Sequence, residues 1–414
     1  VIYLKRATEL EPDNIPYIYS LALALKRLED YQGSLEAFEK ILRIEKHFVK
    51  AYFEIGKILS LLGNPYVAIE KFNQALMLDS KHAFSYYEKA KCQRIVGGNL
   101  AERKKALATV RQAINLDSSE PNFLYLAGII CTEVGDLNGA IDYYTAAIEK
   151  NPSFFNCHDS LIYLLSFVQP KTSNKYARLD KVIRNKNKKS SILQMSDHDL
   201  VDIYEDAILE IKKSEIPLDY ARSQIYRRSQ QELNCGRHKG VFEHQGIIPE
   251  FCFSCFKVFV EPKTVLQLVR LSFLIDKLME LKRNTSKCMI ELRPKIQGFY
   301  KGFVFCSSLD DAKQLKVLFK EIIKEEIGAE FPVYIKHGCT EFAMKYPKYN
   351  ESNHDNFDLM QYDNSWKAKE VEFDQKFVGS FIPPKLDIVR QSLSGLSLSD
   401  VLIIRNWFCY AEKI

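Results

Sequence analysis

Small and aromatic residues recur at a fixed interval from the N-terminus to about residue 154, and that interval is 34 residues. The segment 121–154 carries Gly128, Gly135, Ala140, Tyr144, Ala147 and Pro152; 49–82 carries Tyr52, Gly56, Gly63, Ala68, Phe72 and Ala75 on the same register. A period of this length is the signature of stacked antiparallel helix pairs: small residues sit where two helices cross closely, and aromatics fill the space between pairs. One pair cannot bury its apolar face alone, so the pairs are predicted to stack into an α-solenoid. The repeats read as 15–48, 49–82, 83–120 and 121–154. The third is four residues longer, and Gly98-Asn99 places the excess in a loop over Gly97–Lys105. The first is degenerate, with Ser34, Ile41 and Lys46 at positions the pattern reserves for Ala, Ala and Pro.

These residues resemble the tetratricopeptide-repeat (TPR) family over a little more than a third of the chain. The resemblance implies a protein-binding scaffold in which the first helix of each pair lines a concave groove. Carried onto this register, the groove holds Tyr19, Lys26, Lys50, Phe53, Lys57, Phe84, Tyr87, Lys91, Arg94 and Tyr125. Bases interleaved with aromatics suit an extended acidic peptide or a protein segment. The competing occupant is this chain's own acidic stretch at 350–375, where seven acids face two lysines. Ala7 and Pro12 continue the register without a preceding helix, so the sequence is expected to be cut from a longer protein. Phe155–Val168 reads as a capping helix that closes a solenoid domain at 1–170. His158-Asp159-Ser160-Leu161-Ile162-Tyr163-Leu164-Leu165 is similar to the end of the repeat region in TPR-fused glycosyltransferases, although no tandem nucleotide-sugar domains follow.

Six lysines and two arginines against one acid between Lys171 and Ser191 predict a basic linker over 171–195. Contact with an anionic partner is the alternative to plain solvation. A helical connector spans 196–234, with Ser196-Asp197-His198-Asp199 capping one helix to about Lys213 and Pro217 opening another to about Leu233. The composition is ordinary, 46% hydrophobic and 27% charged, and no apolar run is long enough to span a bilayer. Ten scattered cysteines do not make a disulfide scaffold, which points to a reducing, cytoplasmic setting.

An α+β domain is predicted over 235–349. Cys235, His238, Cys252 and Cys255 form two close pairs, C-x2-H and C-x2-C, that would suit a structural zinc. Core thiols and a redox pair are the other readings, because the apolar run around Cys252 and Cys255, taken as a strand, would point residues three apart to opposite faces. Beyond it the order β-α-β-β-α-β is the ferredoxin-like split βαβ arrangement, with one sheet face free of helices. Alternation puts Phe259, Lys301, Phe303 and Phe305 on that free face, and Lys301-Gly302-Phe303-Val304-Phe305 resembles the longer signature of RNA-recognition motifs. That face either binds RNA or is buried by protein. Thr340–Tyr346 is read as an edge strand, 350–380 as an acidic loop, and Ser397-Leu-Ser-Asp400 as the capping box of a C-terminal helix. Residues 235–414 are similar to a C-terminal region of TPR proteins of marine cyanobacteria and related bacteria, for which no activity is implied. No phosphate-binding, dinucleotide, HExxH or GxSxG signature is present, and His337 with Cys339 reads as a strand-end histidine beside a buried thiol. Catalysis is therefore unassigned and a binding role favoured.

Overall fold

The computed structural model describes residues 1–166, 168, 174–186, 195–216, 218, 220–227, 233–282, 284–293, 298–328, 330–349, 360–377 and 396–413. The described residues fall into two compact units, one ending at Asn151 and the other beginning at Pro152.

The first unit is entirely helical. After α1 (Ile2–Leu10) come four hairpins: α2 (Ile15–Arg27) with α3 (Tyr31–Ile44), α4 (Val49–Leu61) with α5 (Pro65–Leu78), α6 (Ala83–Val96) with α7 (Leu100–Leu116), and α8 (Pro121–Glu133) with α9 (Leu137–Lys150). The small residues of the register do what their spacing requires. A Cβ on Gly56 would lie 2.6 Å from the Phe72 ring, and one on Gly128 would lie 2.4 Å from the Tyr144 ring, so each close helix crossing is possible only with glycine. Ser34, at a consensus Ala position, is fully buried and spends its hydroxyl on the Ala22 carbonyl at 2.7 Å. Gly63 and Gly135 take φ of +78° and +82° between the helices of their pairs, whereas the first pair turns through Glu29 at +61°.

One expectation is corrected here. The surplus residues of the third repeat extend a helix instead of a loop: α7 has 17 residues where α3, α5 and α9 have 14, with its N-terminus capped by Asn99. Ala-, Lys- and Arg-rich sequence propagates a helix readily, so residues read as loop from Gly98-Asn99 wind into its first turn.

The second unit opens with α10 (Phe155–Leu165), α11 (Lys175–Lys186) and α12 (Asp197–Lys213). The expected solenoid cap, α10, belongs to this unit and packs on α11 and on the C-terminal helix α18 (Leu398–Ala411). The expected basic linker contains α11, whose Tyr176, Leu179 and Ile183 are buried. Its single acid explains the helix's docking: Asp180 accepts from Arg184 and from the Leu398 backbone N–H at the start of α18.

A sheet then forms from β1 (Gln224–Arg227), β2 (Phe256–Val260), β3 (Ser286–Ile290), β4 (Tyr300–Cys306) and β5 (Val333–His337), interleaved with α13 (Cys235–Gln245), α14 (Val265–Lys282) and α15 (Leu309–Ile327). Its order is β1-β3-β4-β2-β5 and every pairing is antiparallel. The last four strands, with α14 and α15, make the expected split βαβ core. Val258, Val260 and Val304 face the helices, and α14 approaches so closely that a Cβ on Gly302 would sit 2.6 Å from Leu271.

The fifth strand, β1, departs from the helix expected from Pro217 to about Leu233. Gln224-Ile-Tyr-Arg instead satisfies the open edge of β3, with Ile225 buried and Arg227 holding Asp276 on α14 and Asp400 on α18. Thr340–Lys345 is the short helix α16 and not an edge strand; Phe342 and Tyr346, four apart, share its inner side, where Phe342 meets Phe242 and the Tyr346 hydroxyl donates to the Gly246 carbonyl. Part of the expected acidic loop is α17 (Lys367–Lys376), which packs on α13; residues 350–359 and 378–380 of that loop lie outside the described residues.

Candidate functional site

The expected groove residues lie on first helices whose side chains touch in succession. Lys26 on α2 is ion-paired with Glu54 on α4, Phe53 on α4 meets His82 at the start of α6 (ring centroids 4.9 Å), and Arg94 on α6 pairs with Glu133 on α8 at 2.7 Å. These contacts join the four helices into one strip. The aromatics are half-buried anchors on the solenoid core: within their repeats Tyr19 lies edge-on to Phe38 and Tyr125 rests 5.8 Å from Tyr144, and between repeats Tyr87 rests 5.1 Å from Phe123. Phe84 is the most open of them, 46% exposed, with its edge on Phe123. Lys57 and Lys91 lie over the rings of Phe53 and Tyr87 at 5.1 and 5.3 Å.

Sequence reasoning missed the acids of this strip. Glu54 serves both Lys26 and Lys57, Glu88 holds Lys91 at 2.8 Å, and Glu133 serves Arg94 and the buried Arg103. The spacing i, i+3 before Lys57 and Lys91 was legible; the Glu133 pairings cross between helices and were not. Burial opposes the charge on Lys91, but its hydrogen bond to Glu88 and the Glu88 charge prevail and raise its pKa. Two bases share each of Glu54 and Glu133, so the strip keeps a positive excess. Lys50 adds to it, exposed and without an ion pair among the described residues.

The four metal-ligand candidates do not close a site within 4.8 Å of one another, although Cys235, Cys252 and Cys255 lie near enough, with Cys339 beside them, for their charges to act on one another. Cys235 and His238 occupy the first turn of α13, while Cys252 lies in a 3₁₀ turn over Glu250–Ser254 and Cys255 follows it. Among the described residues, the one group of three or more such side chains with ligand atoms mutually within 4.8 Å is His198, Asp199 and Asp202, all exposed on α12. His238 is instead stacked on Phe251 (5.0 Å, 21°), and burial pushes its pKa down to about 4. Burial pushes Cys255 up to about 12, which favours its neutral thiol.

The far face of the sheet carries the expected aromatic and basic residues, yet it is covered. Phe259 is fully buried between Phe303 and Tyr334 with the Lys336 ammonium 4.1 Å from its ring centre; Phe305 packs with Leu233 and Cys255; Lys301 is buried on Glu291 at 3.3 Å. Only Phe303 of the four is half-exposed. Three adjacent strands supply side chains large enough to occupy one another's ring faces, so no base can stack on Phe259 or Phe305 as RNA recognition by this face requires. His337, fully enclosed, places its two ring nitrogens on the Tyr349 and Phe253 carbonyls at 2.8 and 3.0 Å, a structural role.

A model of the tetratricopeptide repeat matches residues 15–48 and 49–82. Among solved structures, MamA is similar at 20% identity over 46% of this chain and 95% of its own, with a TM-score of 0.33. YrrB, described as a TPR protein with an unusual peptide-binding site, is similar at 17% identity over 51% and 97%, with a TM-score of 0.34. A thermophilic TPR protein of Thermus thermophilus, TTC0263, is similar at 19% identity over 39% and 87%, also at 0.34. No helix among the described residues is long and apolar enough to cross a membrane.

Proposed function

We propose that this chain, which carries tetratricopeptide repeats at 15–48 and 49–82, is a protein-interaction scaffold that receives an extended acidic segment of a partner along the strip formed by α2, α4, α6 and α8. The observation that carries this is the pairing of a half-exposed aromatic with a base on successive first helices, Phe53 with Lys57 and Tyr87 with Lys91. The rings offer apolar footing at fixed helical spacing, and the surplus bases can turn from Glu54 and Glu133 toward an incoming carboxylate. Self-occlusion by the acidic stretch is disfavoured for its α17 part, because Glu370 and Asp374 are both held by Arg237 within the second unit.

The test is binding of acidic and charge-neutralised peptide pools to the full chain by fluorescence anisotropy over a salt series. Reversal of two partly exposed charges, Lys57→Glu with Lys91→Glu, removes contacts worth roughly 0.2–1 kcal/mol each and adds repulsion, so about tenfold weaker binding of the acidic pool is expected. Equal affinity for both pools, or an unchanged affinity in the double variant at low salt, would overturn the proposal.

A further inference from the structure

On the covered face of the sheet, Lys257 on β2 and Lys287 on β3 rise on either side of β4, the first opposite Phe305 and the second opposite Phe303. Both are half-buried, and neither makes an ion pair with a carboxylate among the described residues. Lys257 donates to the Cys339 sulfur at 3.7 Å and lies 5.3 Å from the Phe305 ring, and Cys339, Cys255, Cys235 and Glu341 together support its charge. Lys336 on β5, paired with Lys257, rests on the Phe259 and Tyr334 rings without an ion pair among the described residues. The acids of the neighbourhood are committed elsewhere. Glu291 is held by Arg293 and Lys301, Glu341 by Arg293 at 2.9 Å, and Glu261 accepts from the Tyr334 hydroxyl. Ammonium groups that gather in partly dry surroundings and outnumber the acids near them are costly, and a protein lowers that cost by losing a proton or by holding an anion. The strain is visible at Lys287, which burial and then the Lys257 and Arg293 charges push down to about 8.

We propose that Lys257 and Lys287, with Lys336 at the margin, form a binding site for the phosphate group of a small phosphorylated molecule whose organic part rests on Phe303. Separate ammonium groups on different strands, near enough for Lys257 to act on both Lys287 and Lys336, suit a compact tetrahedral dianion, whereas a lone carboxylate is better matched by a guanidinium fork. The half-exposed Phe303 ring, opposite Lys287 and two residues along β4 from the partner of Lys257, supplies the apolar footing.

The inference is independent of the repeat reading and is tested on the full chain with inorganic phosphate, phenyl phosphate and acetate as probes. Phosphate should raise the melting temperature saturably, phenyl phosphate should do so at lower concentration, and acetate should do so weakly or not at all. Lys287→Met and Lys257→Met should each weaken phosphate binding at least tenfold while leaving the ligand-free protein equally stable or more so. A measurement on the unaltered protein guards against misfolded variants: phosphate should protect Lys257 and Lys287, but not the exposed Lys263, from acetylation mapped by mass spectrometry. No saturable phosphate effect, an effect equal to the unaltered protein's in both lysine variants, or acetylation of both lysines unaltered by phosphate would overturn the site. Acetate matching phosphate would equally refute the phosphate assignment.

Discussion

Replacing Gly128 by alanine puts a methyl carbon where the structure has no room for one. The added Cβ would lie 2.4 Å from Cε1 and 2.6 Å from Cδ1 of Tyr144, against an ordinary carbon–carbon separation of about 3.5–4.0 Å. The ring would have to retreat by about 1 Å, and it cannot do so freely: Tyr144 is 3% exposed, with its hydroxyl 3.4 Å from that of Thr132. Overpacking of this kind costs ~1–3 kcal/mol, while alanine in place of glycine inside a helix gains ~1 kcal/mol, so the single variant is expected to lose ~0–2 kcal/mol. The crossing itself is isolated by a cycle with Tyr144→Leu, which withdraws the ring; there Gly128→Ala should become stabilising. The coupling between the two sites should be about 1 kcal/mol or more, read from hydrogen exchange of peptides covering α8 and α9 in the full chain. Additivity within ~0.5 kcal/mol would refute the claim that this glycine exists to admit the ring.

Arg227→Met should lower the stability of the second unit by ~3–5 kcal/mol, followed by fluorescence of the buried Trp407, because Asp276 and Asp400 would be left buried without their shared cation. A loss under 1 kcal/mol would show that β1 is not pinned by this bridge. His238 has its folded pKa depressed to about 4, below the ~6.5 of an unfolded chain, so the unfolded state binds more protons between those values. Its burial therefore costs nothing above about pH 7, and stability should fall by up to ~3 kcal/mol as the pH drops through that window. His238→Phe should flatten this dependence in pH-resolved urea melts and leave the zinc content of the purified protein unchanged.

The repeat architecture was legible because a long period repeats its instruction: the same small and large residues meet at the same crossing in each pair, as Gly56 with Phe72 and Gly128 with Tyr144 do. The split βαβ core was legible for a related reason, since alternation in Phe256–Val260 and Tyr300–Cys306 marks strands that turn one face to the helices. What failed was local sequence whose conformation is decided by distant partners. Gln224–Arg227 becomes a strand because β3 has an open edge and because Asp276 and Asp400, far along the chain, wait for Arg227. His238 reads as a ligand by spacing, but Phe251, thirteen residues on, takes its ring as a stacking partner. The groove candidates shared this weakness in a milder form. Tyr87 and Lys91 fell where the register placed them, and the neutralising role of Glu133 appeared only when α6 and α8 came together.

Photo-crosslinking tests the central claim most directly. With a photoreactive phenylalanine analogue placed at Phe53 or Phe84 in the full chain, an acidic peptide that binds should be captured at both positions, and unlabelled peptide should compete. Capture confined to the second unit, or no competed capture at either position while the peptide still binds, would contradict the assignment of recognition to the first helices of the repeats.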